Sequence, residues 1–337
     1  MTALAKAEDM FGLDTQTAES MHKEVVEHVD IKTYIHQIIK VNKLSTIGLD
    51  YHSPYAYLTV KEGSQTQLLK FQMSEDDYNL FCQDIGIAED EEYNSSSTSI
   101  IEGVACRVFA ITKPISKNPI VTISTTKDIP ANVIKNPKAR EVLTDELLDK
   151  IVHSTFIVAG GSGAGKTYFL NGLLGNYIND DERLAIVEEF GELTPPNDLT
   201  ISMTTPPVKP GQEPKLRWVT EASNLMRLDG LVVGEIKSSE AYPFILNASS
   251  GTRGIATVHG SDARKALNRL TSLAMLATDN KEAIQEFIAK SVNYVIVMRK
   301  HDIFEIVELT GNRQGDNFAL KRIYQNPSLL KKGEAFN

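Results

Sequence analysis

An α/β fold is predicted for most of this chain: a mostly parallel sheet with antiparallel closing strands, preceded by a small α+β domain. Three observations predict it. Short runs such as "STFIVAG", "RLAIVEE" and "GLVVGE" are apolar nearly throughout, as strands buried on both faces are. Helical segments at 166–178, 239–248 and 262–276 fall between some of these strands, the alternation of a parallel sheet covered by helices. After a further helix at 281–290, "VNYVIVMR", "IFEIVEL" and "FALKRIY" read as a closing antiparallel meander.

In chain order, residues 1–20 read as a polar arm. From Met21, "MHKEVVEHVDIKTYIHQIIKVNK" places apolar residues near helical spacing, an amphipathic helix with a break near Asp30. "YAYLTV" and "QLLKFQ" are strands on either side of Gly63 and Ser64. "SEDDYNLFCQDIGI" is a helix capped by Ser74, with acids in its first turn. Residues 88–99 form an acidic, serine-rich loop, and "ACRVFAIT" and "IVTISTT" are strands. These elements make an α+β domain over 21–126. The segment 127–140, with two prolines and four basic residues, reads as a linker, and 141–337 as the larger α/β domain. Within it "LTISM" and "GIATVH" are further strands. The proline-rich stretches "TPPND" and "TTPPVKPGQEPK" are surface excursions, and Trp218 after them is expected to pack.

Length suggests two domains at roughly 150 residues each. The apolar and charged fractions, 42 % and 23 %, are those of an ordinary soluble globular chain. A formal net charge of −9 argues against nucleic-acid binding through bulk electrostatics. Two cysteines without a CxxC pair fit a reducing compartment and offer no structural zinc site. The first residues carry acids and no apolar run, unlike a signal peptide. No segment approaches the ~18 apolar residues of a membrane helix. The expectation is a cytoplasmic protein, peripheral to a membrane through partners.

The strongest local signal is "GGSGAGKT", Gly160–Thr167, which matches G-x-x-x-x-G-K-[ST] in full between a β-branched strand and a helix. Its glycines let successive backbone N–H groups of Gly161, Ser162, Gly163, Ala164 and Gly165 turn inward as an anion nest, at a helix N-terminus that adds partial positive charge. Lys166 would reach the β- and γ-phosphates of a nucleotide, and the Thr167 hydroxyl would take one Mg²⁺ position. ATP and Mg²⁺ are the implied ligands.

Reactive groups in such a sheet come from the C-terminal ends of neighbouring strands. "LVVGE" ends on Glu235, a carboxylate suited to orienting the attacking water or holding Mg²⁺. "LAIVEEFGEL" supplies Glu188, Glu189 and Glu192. Strand alternation gives parity and not register, so Glu189 is favoured for the phosphate site with Glu188 as the alternative. "IATVHG" ends on His259, which could donate to the γ-phosphate. Arg227, Lys237, Arg253, Arg264 and Arg269 surround these elements, and most such cations simply solvate a face. The other histidines lack metal-ligand spacing.

The order of "GGSGAGKT", "RLAIVEEFGEL", "MRLDGLVVGEIKSSEA" and "GTRGIATVHGSDARKALNRL" resembles the traffic ATPases of type II/IV secretion, across about 155–310. "SSEAYPFI" and "TVHGSDARKALNRL" look more like the VirB-type and conjugal-transfer branch than the pilus-retraction branch. The resemblance implies a homohexameric ATPase with a PAS-related N-terminal domain and a RecA-like C-terminal domain, bound to inner-membrane components of a secretion or conjugation complex. Lys166 and Thr167 then fall at Walker A, Glu189 in the acidic box, Glu235 at Walker B and His259 in the His box. Arg107 of "ACRVFAI" falls where an arginine closes onto the phosphates. Departures are Ser124 where many relatives carry a second arginine, Thr252 for a histidine, Lys237 for the arginine after "VGE", and Glu-Glu where Glu-Asp is common. The same chemistry would serve a type IV pilus motor. A nucleotide-sensing scaffold without productive turnover is a reading of another class, against which Glu235 and His259 stand.

Overall fold

The computed structural model describes residues 31–330 apart from 43–45, 63–64, 88–93, 102, 114, 126–133, 135, 190, 206–214 and 316. The expected arm, the first part of the expected N-terminal helix and most of the expected linker lie outside the described residues. The chain divides into two compact units, Met1–Asp128 and Ile129–Asn337.

The first unit contains α1 (Ile31–Asn42), β1 (Thr46–His52), β2 (Tyr55–Glu62), β3 (Gln65–Gln72), α2 (Glu75–Asp84), β4 (Asn94–Ile101), β5 (Val104–Ile111) and β6 (Ile120–Thr125). The strands form one antiparallel sheet in the order β3-β2-β1-β6-β5-β4. Helix α1 buries Ile31, Tyr34, Ile35, Ile38 and Ile39, an i, i+3, i+4, i+7, i+8 stripe that joins Leu49, Leu58 and Phe71 of the sheet in one core. Helix α2 starts at Ser74, whose Oγ accepts the Asp77 N–H at 3.1 Å while three acids occupy the first turn. Both cysteines lie in this core, and burial pushes the Cys82 thiol up to about 12 and Cys106 to about 11. The first unit departs from expectation twice. Residues Asn94–Ile101, which begin within the segment read as a loop and run two residues past it, form an edge strand paired along its whole length with β5. "TIGLDYH" is a strand, β1, that was not anticipated.

The second unit contains α3 (Pro137–Val142), α4 (Asp145–Val152), β7 (Phe156–Gly160), α5 (Lys166–Tyr177), β8 (Leu184–Glu188), β9 (Ile201–Thr204), α6 (Lys215–Ala222), β10 (Gly230–Ile236), α7 (Ala241–Ser249), β11 (Arg253–His259), α8 (Ala263–Ala274), α9 (Lys281–Ser291), β12 (Tyr294–Arg299), β13 (Asp302–Gln314) and β14 (Asn317–Gln325). Eight strands run in the order β14-β13-β12-β7-β11-β10-β8-β9. Those from β12 to β9 are parallel, and β13 and β14 close the sheet antiparallel, the architecture the sequence predicts. Alternate residues face opposite cores. Ile157 and Ala159 of β7 join α7, α8 and α9, whereas Phe156 and Val158 join α4 and α5. Helix α3 begins within the segment read as linker, with Asn136 as cap and a proline in its first turn.

Trp218 is a correction. It is 70 % exposed on α6, because Leu216 and Thr220 occupy the buried face of that helix and a residue two positions from Leu216 points the other way. Phe244 has the opposite role: fully buried, it packs in the core over the sheet. Phe244→Ala should lower the stability of the second unit by about 3–5 kcal/mol. The shift of that unit's guanidinium midpoint measures it, and a loss within ~0.5 kcal/mol, the range of ordinary surface substitutions, would remove Phe244 from the anchors of the core.

Candidate active site

The loop between β7 and α5 is shaped by its glycines. Gly163 and Gly165 have φ of 68° and 92°, in the left-handed region open to glycine, and Gly165 stands at the N-cap of α5 with no side chain of its own. Added Cβ atoms on Gly161 and Gly163 would meet nothing within 4 Å. Ser162 is exposed and Ala164 buried. Lys166 opens α5 with its side chain only 8 % exposed, and its ammonium donates to the Gly161 carbonyl at 3.2 Å and the Gly160 carbonyl at 3.4 Å. Thr167 follows, half-buried, in the first turn.

Register then decides what stands beside the loop. In the parallel ladders His259 of β11 is level with Gly160 on one flank, and Met298 of β12 is level with it on the other. One strand beyond β11, the β10–β11 pairing slips between Val233 and Ile236, a bulge at Gly234–Glu235 that re-aims the side chain. Glu235 thereby becomes the hub of the site. Its Oε1 is 2.9 Å from His259 Nε2 and 3.8 Å from Lys166 Nζ, and its Oε2 is 3.3 Å from Lys237 Nζ. Lys237 also donates to Glu189 at 2.9 Å. The five side chains form one connected network.

The pKa directions follow from this packing. Burial pulls the Lys166 ammonium down, against the opposing pull of Glu235 and Glu192. Burial acts the same way on Lys237, but the Glu189 carboxylate, and Glu235 after it, more than offset it, so the net direction is upward. A buried residue that sequence reasoning did not single out fixes the backbone here. Glu240, 1 % exposed, accepts the N–H groups of Lys237 and Ser238.

Glu188 and Glu189 are sharply different. Glu188 is 6 % exposed and its carboxylate accepts the N–H of Glu192 at 2.8 Å and of Leu193 at 3.2 Å, pinning the start of the acidic turn. Gly234 makes room for it, since an added Cβ would lie 2.8 Å from Glu188 Cβ. Burial pushes the Glu188 carboxyl up to about 7, resisted by those two amides and aided by the charge of Glu192.

Other anticipated cations have partners or places of their own. Arg253 opens β11 and pairs with Glu182, which also holds His153. Arg264 donates to Asn317. Arg107 sits mid-strand on β5 of the first unit, directly across from Ser124. Lys127 is outside the described residues. His301, given no role from sequence, lies against the phosphate loop: its N–H donates to the Ala164 carbonyl at 3.1 Å.

A glycine loop leading from a parallel strand into a helix, with a carboxylate two strands away, defines a P-loop protein of the RecA-like α/β class. Residues 124–309, more than half of the chain, match the model of the Type II/IV secretion system protein family, and the chain belongs to that family. A Mycobacterium tuberculosis protein named for conjugal transfer is 27 % identical over 207 residues, 58 % of each chain. VirB11 of Agrobacterium fabrum is 28 % identical over 162 residues, 46 % of this chain and 47 % of that one. The chain thus spans about half the length of these relatives. Among solved structures, the pilus retraction motor PilT with bound ADP matches 88 % of this chain and 82 % of its own, with a TM-score of 0.54 at 16 % identity. The Legionella pneumophila ATPase DotB matches 89 % and 82 %, with a TM-score of 0.53 at 12 % identity. Both are likenesses of fold.

Glu188 generates a pH prediction. Its folded pKa of about 7 lies above the ordinary carboxylate value, so the folded state binds the extra proton between pH ~4.5 and ~7 and loses stability as pH rises through that window. The contribution is bounded by about 1.4 kcal/mol per pH unit. Glu188→Gln should flatten the stability profile across this window relative to the parent chain. Parallel profiles in chemical denaturation between pH 5 and 8 would show that the buried acid titrates in its ordinary range.

Proposed function

We propose that this chain is an ATP-hydrolysing motor of a type IV secretion or conjugative transfer apparatus. It would act as a homohexamer at the cytoplasmic face of the inner membrane, attached through partner proteins and without binding nucleic acid directly. Among the described residues no helix is long and apolar enough to cross a membrane. The observation that carries the proposal is the convergence of Lys166, His259 and Lys237 on Glu235 at the mouth of a glycine loop.

Backbone amides from Gly161 to Thr167 hold the phosphates, and Lys166 exchanges its loop carbonyls for the β- and γ-oxygens. Thr167 and Glu235 would hold Mg²⁺. One hydroxyl and one carboxylate suit a hard cation that takes its remaining ligands from phosphate and water. When bound, the cation neutralises charge on the transferring phosphoryl group. Glu235 orients the attacking water and accepts its proton as the bond from the γ-phosphorus to the bridging oxygen breaks. Glu189 acts through Lys237, whose bridge restrains the position of the Glu235 carboxylate. His259 donates toward the γ-phosphate and shares the Glu235 oxygen, so it registers whether that phosphate is present. Arg107 is proposed as the further cation that the family resemblance implies.

Glu235→Gln keeps size and removes the base. Turnover should fall by about 10²–10⁴-fold while ATP still binds. Phosphate release under multiple turnover, beside an equilibrium binding measurement, checks this. Unchanged turnover would take Glu235 out of the chemistry, and tight binding with no release even in the parent chain would mark a nucleotide-sensing scaffold.

A further inference from the structure

The β12–β13 hairpin turns on two residues, Lys300 and His301, at φ of 49° and 62°. Positive φ at both central positions is the mark of a type I′ turn, which normally takes Asn-Gly. Neither residue here is the asparagine or glycine such a turn favours, and the turn is braced at both feet. Arg299 donates to the carbonyls of Ser261 at 2.9 Å and Leu329 at 3.0 Å and lies 3.5 Å over the Phe304 ring. The Asp302 carboxylate accepts from Asn136 at 3.3 Å and Asn326 at 3.2 Å. Strained backbone held in this over-determined way clusters at ligand clamps.

The location says which ligand. The His301 N–H bonds the Ala164 carbonyl, and an added Cβ on Gly165 would lie 3.1 Å from His301 Nδ1, so ring and phosphate loop are in contact range. His301 nevertheless remains exposed. Because β11 and β12 flank β7 on opposite sides, His301 and the acid Glu235 stand on opposite flanks of the loop. A nucleoside triphosphate is a linear chain. If its terminal phosphate meets Glu235 and His259, its sugar and base must leave the loop on the other flank.

We propose that His301 is the contact for the nucleoside half of the bound nucleotide, its imidazole packing against the sugar and base beside Gly165. This rests on the phosphate loop's holding a nucleoside triphosphate. It adds a base-side residue to a site whose other members touch only phosphate, metal or water.

His301→Gly deletes the ring, keeps the N–H bonded to Ala164 and relieves the left-handed backbone. Calorimetric titration of the full chain with ATP, ADP and inorganic tripolyphosphate separates the possibilities. The variant should bind ATP and ADP about tenfold more weakly, as expected for one lost stacking contact, with tripolyphosphate affinity unchanged. Equal losses on all three ligands would make His301 a brace of the loop, and no loss on any would leave it without a role; either result overturns the proposal. A parent chain that holds tripolyphosphate but gains nothing from the nucleoside also overturns it. One that binds none of the three removes the phosphate-loop reading itself. His301→Asn, whose side chain tolerates left-handed backbone, replaces the glycine variant if circular dichroism shows that one unfolded.

Discussion

One buried ammonium organises the second unit. Lys166 is nearly sealed from solvent at the start of α5, and an isolated charge in that position would cost many kcal/mol without compensation. The carbonyls of Gly160 and Gly161 supply part of that compensation, and the Glu235 and Glu192 carboxylates oppose the remaining cost without cancelling it. The requirement propagates outward. Glu235 must project from β10 toward β7, and the bulge at Gly234 provides that; β11 lies between them, and its last residue, His259, meets the Glu235 carboxylate at 2.9 Å. Glu188 needs the space left by Gly234, so the bulge and the acidic turn are settled by the same missing side chain.

The network is close to electrically balanced before any ligand enters, with Lys166 and Lys237 against Glu189 and Glu235. A polyphosphate would upset that balance strongly, so the proposed chemistry calls for a divalent cation and a further basic group as well as the loop amides. It also bears on the proposed role of His259 as a reporter of the ligand. It shares one Glu235 oxygen with Lys166, so drawing the ammonium toward phosphate changes the partner of the imidazole directly.

Most of the second unit was legible because its strands are apolar on both faces and its loop motif tolerates few alternatives. The elements that escaped did so for physical reasons. Strand β4 is "NSSSTSII": a polar edge strand carries no hydrophobic signal, and only the pairing with β5 defines it. In β1 the buried residues Ile47, Leu49 and Tyr51 do alternate, but Gly48, Asp50 and His52 between them read as turn formers. Trp218 was expected to pack because a tryptophan usually does; the helical phase set by Leu216 and Thr220 overrides its size. Parity gave two candidates in Glu188 and Glu189, and only the register separates the acid that pins a turn from the one that reaches Lys237. His301 had no signal at all, since its place beside Gly165 follows from β12 pairing with β7, a contact between residues more than a hundred positions apart.

Two residues at which the resemblance to the family implies a departure meet in one bridge. Where the resemblance implies aspartate in the acidic box and arginine after "VGE", this chain has Glu189 and Lys237, and the two are bonded at 2.9 Å. Lysine places its ammonium one bond nearer the backbone than arginine places its terminal nitrogens, and glutamate extends one bond further than aspartate, so the two exchanges offset one another in reach. The chemistry of the bridge is not. A guanidinium would engage one carboxylate through a planar fork, whereas an ammonium with three rotatable donors can serve Glu189 and Glu235 together and shift between them at little cost. The bridge in this chain is therefore softer, and the Glu235 carboxylate is restrained in position without being locked in orientation.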